Sequence, residues 1–126
     1  MKKPSAPTKP HKVEESHQDE TVLRFDATVQ QRIEAGKAFP ANYINRSIRL
    51  TYSKHGSGLR LEVLGVMQPR SARFKNDDGK ILTYFDMTRP YTYYEIETEP
   101  EHNTIVRVSI FQKNNFFQDI EYRYTR

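Results

Sequence analysis

The sequence predicts a mainly β fold (α+β by count). The expected form is a curled antiparallel meander or partial barrel of six to eight strands, with one short N-terminal helix. Three observations carry this. From Ile44 onward apolar and polar residues alternate with a period of two, and no helical periodicity recurs. Clusters of Gly, Asn, Asp and Pro interrupt the alternation at short intervals, as turns require. A helix-type start and stop occurs between Asp26 and Pro40.

Residues 1–20 read as a disordered tail. Met1, Ala6 and Val13 are their apolar residues, and Pro4, Pro7 and Pro10 interrupt them. Such a segment buries too little apolar surface to offset its ordering entropy. Lys2, Lys3, Lys9 and Lys12 precede Glu14, Glu15, Asp19 and Glu20, so its charge is split but balanced. A solvated terminus is the leading reading, and a phosphate-touching arm the other. Residues 21–126 then form a single domain, holding all 15 aromatic residues and the whole net charge of +4.

Val22, Leu23 and Phe25 suit a short entry strand. Asp26 or Thr28 can cap a helix, and Thr28 with Gln31 has capping-box spacing. Val29 and Ile33 would share its inner face, and Gly36 followed by Pro40 would end it. About nine residues make a marginal helix, which must dock on something larger.

That larger element is β. Ile48, Leu50 and Tyr52 alternate with Ser47, Arg49 and Thr51, and Leu59, Leu61 and Val63 alternate with Arg60 and Glu62. Pairing Tyr52 with Leu59 aligns Leu50 with Leu61, Ile48 with Val63 and Arg49 with Glu62, so both faces agree. Gly65 suggests a bulge or a close backbone approach. Asn76-Asp77-Asp78-Gly79 announces a second hairpin between Ala72–Phe74 and Ile81–Phe85, its register open by one residue. A strand follows from about Tyr91 to Thr98, ended by Pro100. For the final hairpin, a loop of Lys113 to Asn115 pairs Val108 with Ile120, Val106 with Tyr122 and Arg107 with Glu121. That loop keeps apolar faces together, whereas an Asn114-Asn115 loop sets Val108 against Glu121.

Several chemistries are excluded or find no support. The chain has no cysteine, which removes disulfides, thiolate metal sites and thiol nucleophiles. No apolar run approaches the roughly 18 residues of a transmembrane helix, and no apolar stretch after Lys2 and Lys3 resembles a signal peptide. The expectation is a cytoplasmic protein without membrane attachment. His11, His17, His55 and His102 show no ligand spacing, and Ser57 among glycines lacks the strand-to-helix elbow of a hydrolase. No phosphate-cradling glycine loop is present. No catalytic residue, metal or cofactor is expected.

Two charge patterns stand out. Glu95, Glu97 and Glu99 share one strand face with Tyr91 and Tyr93, while Tyr94 and Ile96 point the other way. A carboxylate pair there could serve acid–base chemistry or a hard cation, but a charged outer face is the commoner arrangement. Residues 42–75 hold Arg46, Arg49, Lys54, Arg60, Arg70, Arg73 and Lys75 against Glu62, a net of +6. Residues 76–101 hold seven acids against Lys80 and Arg89, a net of −5. Arginine suits phosphate forks and base stacking, and basic sheets with interleaved aromatics bind single strands. The expected function is therefore a non-enzymatic nucleic-acid-binding module, with those seven basic residues as contacts and Tyr91 and Tyr93 as stacking platforms. The alternative is a protein-interaction or assembly component, a homo-oligomer joined through opposite charge blocks and an edge strand.

Overall fold

The structure is a computed structural model and describes residues 20–53, 58–99, 101–102 and 104–126. The expectations for the N-terminal tail, for Lys54 and its turn, and for Pro100 lie outside the described residues. The strands are β1 (Glu20–Glu34), β2 (Lys37–Ala38), β3 (Asn42–Ser53), β4 (Gly58–Val63) and β5 (Arg70–Asp77). They continue with β6 (Ile81–Asp86), β7 (Tyr93–Glu99), β8 (Thr104–Lys113) and β9 (Asp119–Thr125).

From β3 to β9 each strand pairs antiparallel with the next, as short connections between alternating segments dictate. β1 completes the arrangement. Its residues 20–30 pair with β3, and its residues 29–34 pair with β9, so the curled meander returns to its first strand. Gln30 meets Asn42 on one side and Tyr124 on the other. The transfer happens at a bulge between Ala27 and Val29. Two steps along β1 (Ala27 to Val29) match three along β3 (Arg46 to Tyr43), and the inward parity of β1 is reversed beyond this mismatch. Phe25 and Ala27 face the interior before the bulge; Gln30, Arg32 and Glu34 lie opposite the inward Tyr124, Tyr122 and Ile120 after it.

The short helix expected from about Thr28 is replaced by this second half of β1 and its hairpin, and no helix occurs among the described residues. Ala35 (φ 52°) and Gly36 (φ 76°) form the two-residue connection between Glu34 and Lys37. Two successive positive φ values are what a tight hairpin turn of matching twist requires. Gly36 thus turns a hairpin rather than stopping a helix. Extended backbone satisfies residues 29–34 on both edges, whereas a marginal helix would have left β9 unpaired on one edge.

The β3–β4 register is as expected, with Ile48 against Val63, Leu50 against Leu61 and Arg49 against Glu62. A bulge at Lys75 explains the open register of the next hairpin: Phe74 meets Tyr84, but Asn76 meets Thr83. Gly65 (φ 81°) lies in the turn after β4 rather than within the strand. The final hairpin differs from expectation. Val108 faces Tyr124, Ile110 faces Tyr122 and Lys113 faces Asp119, across a five-residue loop. Asn114 builds that loop, its Oδ1 accepting from the amides of Phe116 and Gln118. Phe117 takes the left-handed backbone conformation (φ 59°). Because the displacement is an even number of residues, Val108, Ile110, Ile120 and Tyr122 keep their expected side, but Val106 does not: a bulge at Val106 buries Ile105 and leaves Val106 exposed.

The interior is filled by Phe25, Ile48, Leu50, Leu61, Val63, Tyr94, Ile96, Val108 and Ile110, all buried. Small barrels fill their interiors with side chains in this way. The packing is apolar toward the end where β3 finishes, β4 starts and the β5–β6 turn lies. Toward the other end, where the connections 64–69 and 87–92 lie, the inward side chains become polar.

Candidate functional site

Strand alternation and register together sort the charged residues. On the outer side run Arg49 of β3, Arg60 of β4 and Arg73 of β5, in neighbouring strands. Arg24 of β1 lies directly opposite Arg49, a like-charge pair that an anion would relieve. Arg49, Thr51, Arg60 and Glu62 line a shallow cleft of about 250 Å³. No ion pair holds Arg49, Arg60 or Arg73 among the described residues.

The next strands supply aromatic rings. Arg73 pairs with Phe85, Phe85 with Tyr93 and Tyr93 with Phe111, forming a row across β5 to β8. Tyr93 and Phe111 stack with centroids 4.4 Å apart and planes 4° apart. The Lys75 Nζ lies 4.9 Å from the centre of the Phe85 ring, within cation–π range. Tyr91 (φ 59°) is 63% exposed and meets Phe117 edge to face at 5.7 Å. Beside the row is a groove of about 520 Å³, lined by Arg73, Phe85, Met87, Arg89, Tyr91 and Tyr93.

The loop bordering that groove is organised by Asp86, whose side chain has no exposed surface. Its Oδ1 accepts from the amides of Thr88 and Arg89 and from the Thr88 hydroxyl; its Oδ2 accepts from the Tyr94 hydroxyl. Burial alone would raise the Asp86 pKa, but these donors outweigh it and hold the carboxyl below its ordinary value. Burial and the Asp86 hydrogen bond push Tyr94 up to about 12, with Arg70 acting in the opposite sense.

Glu95 and Glu97 face outward as expected, but guanidinium donors occupy them. Arg107 donates from Nε to Glu97 at 2.9 Å and from Nη2 to Glu95 at 3.3 Å, and its Nη1 lies 3.5 Å from Glu121. Ser109 accepts from Arg107 and donates to Glu121 at 2.7 Å, while Arg123 Nε donates to Glu121 at 2.9 Å. Burial works against the Arg107 charge, yet Glu97 and Glu95 hold its pKa above the usual value. A tied carboxylate is a poor general base. Glu99 stands apart, beside His102 at 3.1 Å. No cluster of three or more potential metal ligands occurs among the described residues.

Of the nine residues singled out by sequence, the structure brings Arg73, Lys75, Tyr91 and Tyr93 together and sets Arg49 and Arg60 in the adjoining cleft. Arg46 shares the parity of inward Ile48 and Leu50, and Arg70 that of inward Ala72. These two stand on the inner side, and Arg70 lines a second cavity there. Sequence reasoning missed Arg24, Phe85, Arg89, Phe111 and Phe117. Phe85 and Phe111 join the site by cross-strand register, which no local pattern fixes; the parity of Arg46 and Arg70 was legible. No family model, no curated protein and no solved structure matches the chain. No helix among the described residues is long and apolar enough to cross a membrane.

Proposed function

We propose that this domain is a non-enzymatic module that binds single-stranded nucleic acid on its outer side, from the β3–β4 cleft to the groove beside β6 and β7. The observation that carries this is the groove itself, where Arg73 and Arg89 flank Phe85, Tyr91 and Tyr93. Rings that accept bases beside cations that accept phosphates are the combination single-strand binders use. The like-charge pair Arg24–Arg49, and arginines without carboxylate partners among the described residues, add positive potential along the same path. The self-association reading calls for a free strand edge. β3 to β9 each have two neighbouring strands, but β1 meets β9 only over residues 29–34, so its residues 20–28 and β2 are the edges that reading would use.

The test is fluorescence anisotropy with labelled oligothymidine and oligouridine at several salt concentrations. Binding should weaken with salt, with a logarithmic slope of about −0.7 per phosphate neutralised. Arg73→Glu with Lys75→Glu should abolish most of the salt-dependent affinity, and Arg49→Glu with Arg60→Glu should reduce it. Tyr91→Ala should weaken binding roughly 5- to 100-fold, the range for one stacked base. Absence of any salt-dependent binding by the wild-type protein at low ionic strength would end this reading and favour assembly, to be read from concentration-dependent size.

A further inference from the structure

The inner side of the barrel holds a second site, centred on Arg70 and sharing only Arg89 with the outer groove. Between the connections 64–69 and 87–92 lies a cavity of about 480 Å³, within the range of roughly 300–1,000 Å³ common for small-molecule pockets. Arg70 stands in it and Arg89 contributes to its lining, and its apolar surface comes from Met67, Ile110, Tyr122 and Tyr124.

The charge balance of this cavity is one-sided. Nε and Nη1 of Arg70 are buried without a hydrogen-bond partner among the described residues, as are Nε of Arg46 and Nε of Arg49, which do not line this cavity. Buried donors without acceptors are costly, so they mark a place where an acceptor belongs. No lining residue is acidic. The nearby carboxylate, Asp86, spends Oδ1 on Thr88 and Arg89 and Oδ2 on Tyr94, and lies 3.8 Å from Arg89. Arg70 meets the Tyr94 hydroxyl by a side-chain hydrogen bond, which leaves its Nε and Nη1 without partners.

We propose that this cavity binds a small amphipathic organic acid. Its carboxylate accepts from Arg70, with Arg89 at the lining, and its apolar or aromatic body lies against Met67, Ile110 and Tyr122. A planar guanidinium suits a carboxylate. The size and the mixed lining exclude a bare inorganic anion as the best fit, since such an ion would leave the apolar wall unused.

The probe is octanoate against its neutral counterpart octanol, each displacing anilinonaphthalene sulfonate from the folded full-length protein. Octanoate should compete at least about tenfold more tightly than octanol, the scale of one charge-assisted hydrogen bond. Arg70→Gln should remove that preference while leaving octanol competition and oligonucleotide affinity unchanged. If Arg70→Gln fails to fold, Arg70→Met, which keeps the apolar stem and leaves no unpaired donor, should remove the preference instead. Amide shifts on adding octanoate should centre on Met67, Arg70 and Tyr122. Equal competition by acid and alcohol, no competition by either, or shifts confined to the outer aromatic row would overturn the proposal. Unchanged oligonucleotide binding in the Arg70 variant keeps its failure distinct from that of the outer groove.

Discussion

At Arg107 a guanidinium with 13% exposed side chain faces Glu95, Glu97 and Glu121 and donates to Ser109. Removing it leaves the carboxylates of β7 and β9 on one sheet face with Arg123 alone to offset Glu121. Breaking a fully buried pair costs about 3–5 kcal/mol; with Glu97 and Glu95 partly solvated, Arg107→Met should cost about 2–4. Urea unfolding measures this, and a loss below half a kcal/mol would show the network to be decorative. Asp86 and Tyr94 set the pH limits. A carboxyl held below its ordinary pKa contributes stability above that ordinary value, and the contribution is lost as pH falls through the depressed one. Asp86→Asn should therefore flatten the acid limb below about pH 4. A tyrosine raised to about 12 stays protonated while the unfolded chain ionises near 10, so stability falls as pH rises between those values. Tyr94→Phe should remove that loss, and ultraviolet titration should show one fewer late-ionising tyrosine in the variant than in the wild type.

Between elements, the β8–β9 hairpin depends on Asn114. Its Oδ1 accepts two amides, and its Nδ2 donates to Glu34 of β1 at 2.9 Å, tying the loop to a third strand. Asn114→Ala should cost about 1–2 kcal/mol and speed amide exchange at Phe116 and Gln118. Cross-strand nuclear Overhauser contacts should join Val108 to Tyr124; contacts of Val108 with Ile120 would restore the shorter loop. The same elements show what was legible. The β3–β4 register could be read because hydrophobic pairs and the Arg49–Glu62 pair agree on one answer. The β5–β6 register could not, since the bulge at Lys75 has no sequence mark. β1 misled for a specific reason. Val29 and Ile33, four apart, share a face in a strand as well as in a helix, and the inward residues Gln30, Arg32 and Glu34 are polar where the barrel opens. Apolar periodicity therefore vanished where it was needed. The outer arginines were placed correctly by alternation, but applying the same parity to Arg46 and Arg70 would have separated them from the outer set.

At the scale of the molecule, the pairing of β1 with β9 is also a statement about time. Ile33 lies beside Glu121, so nearly the whole domain is threaded between partners that must meet. Local hairpins such as β3–β4 can form early, while closing so long a loop carries the larger entropy cost. Refolding should thus occur in milliseconds to seconds, the range for sheets rich in non-local contacts. Val29→Ala in β1 should mainly speed unfolding, and Leu61→Ala in β4 should mainly slow folding, in stopped-flow measurements. During synthesis the consequence is sharper. Until Asp119 to Thr125 have left the ribosome, residues 29–34 carry one bare row of amides and carbonyls that another nascent chain could join.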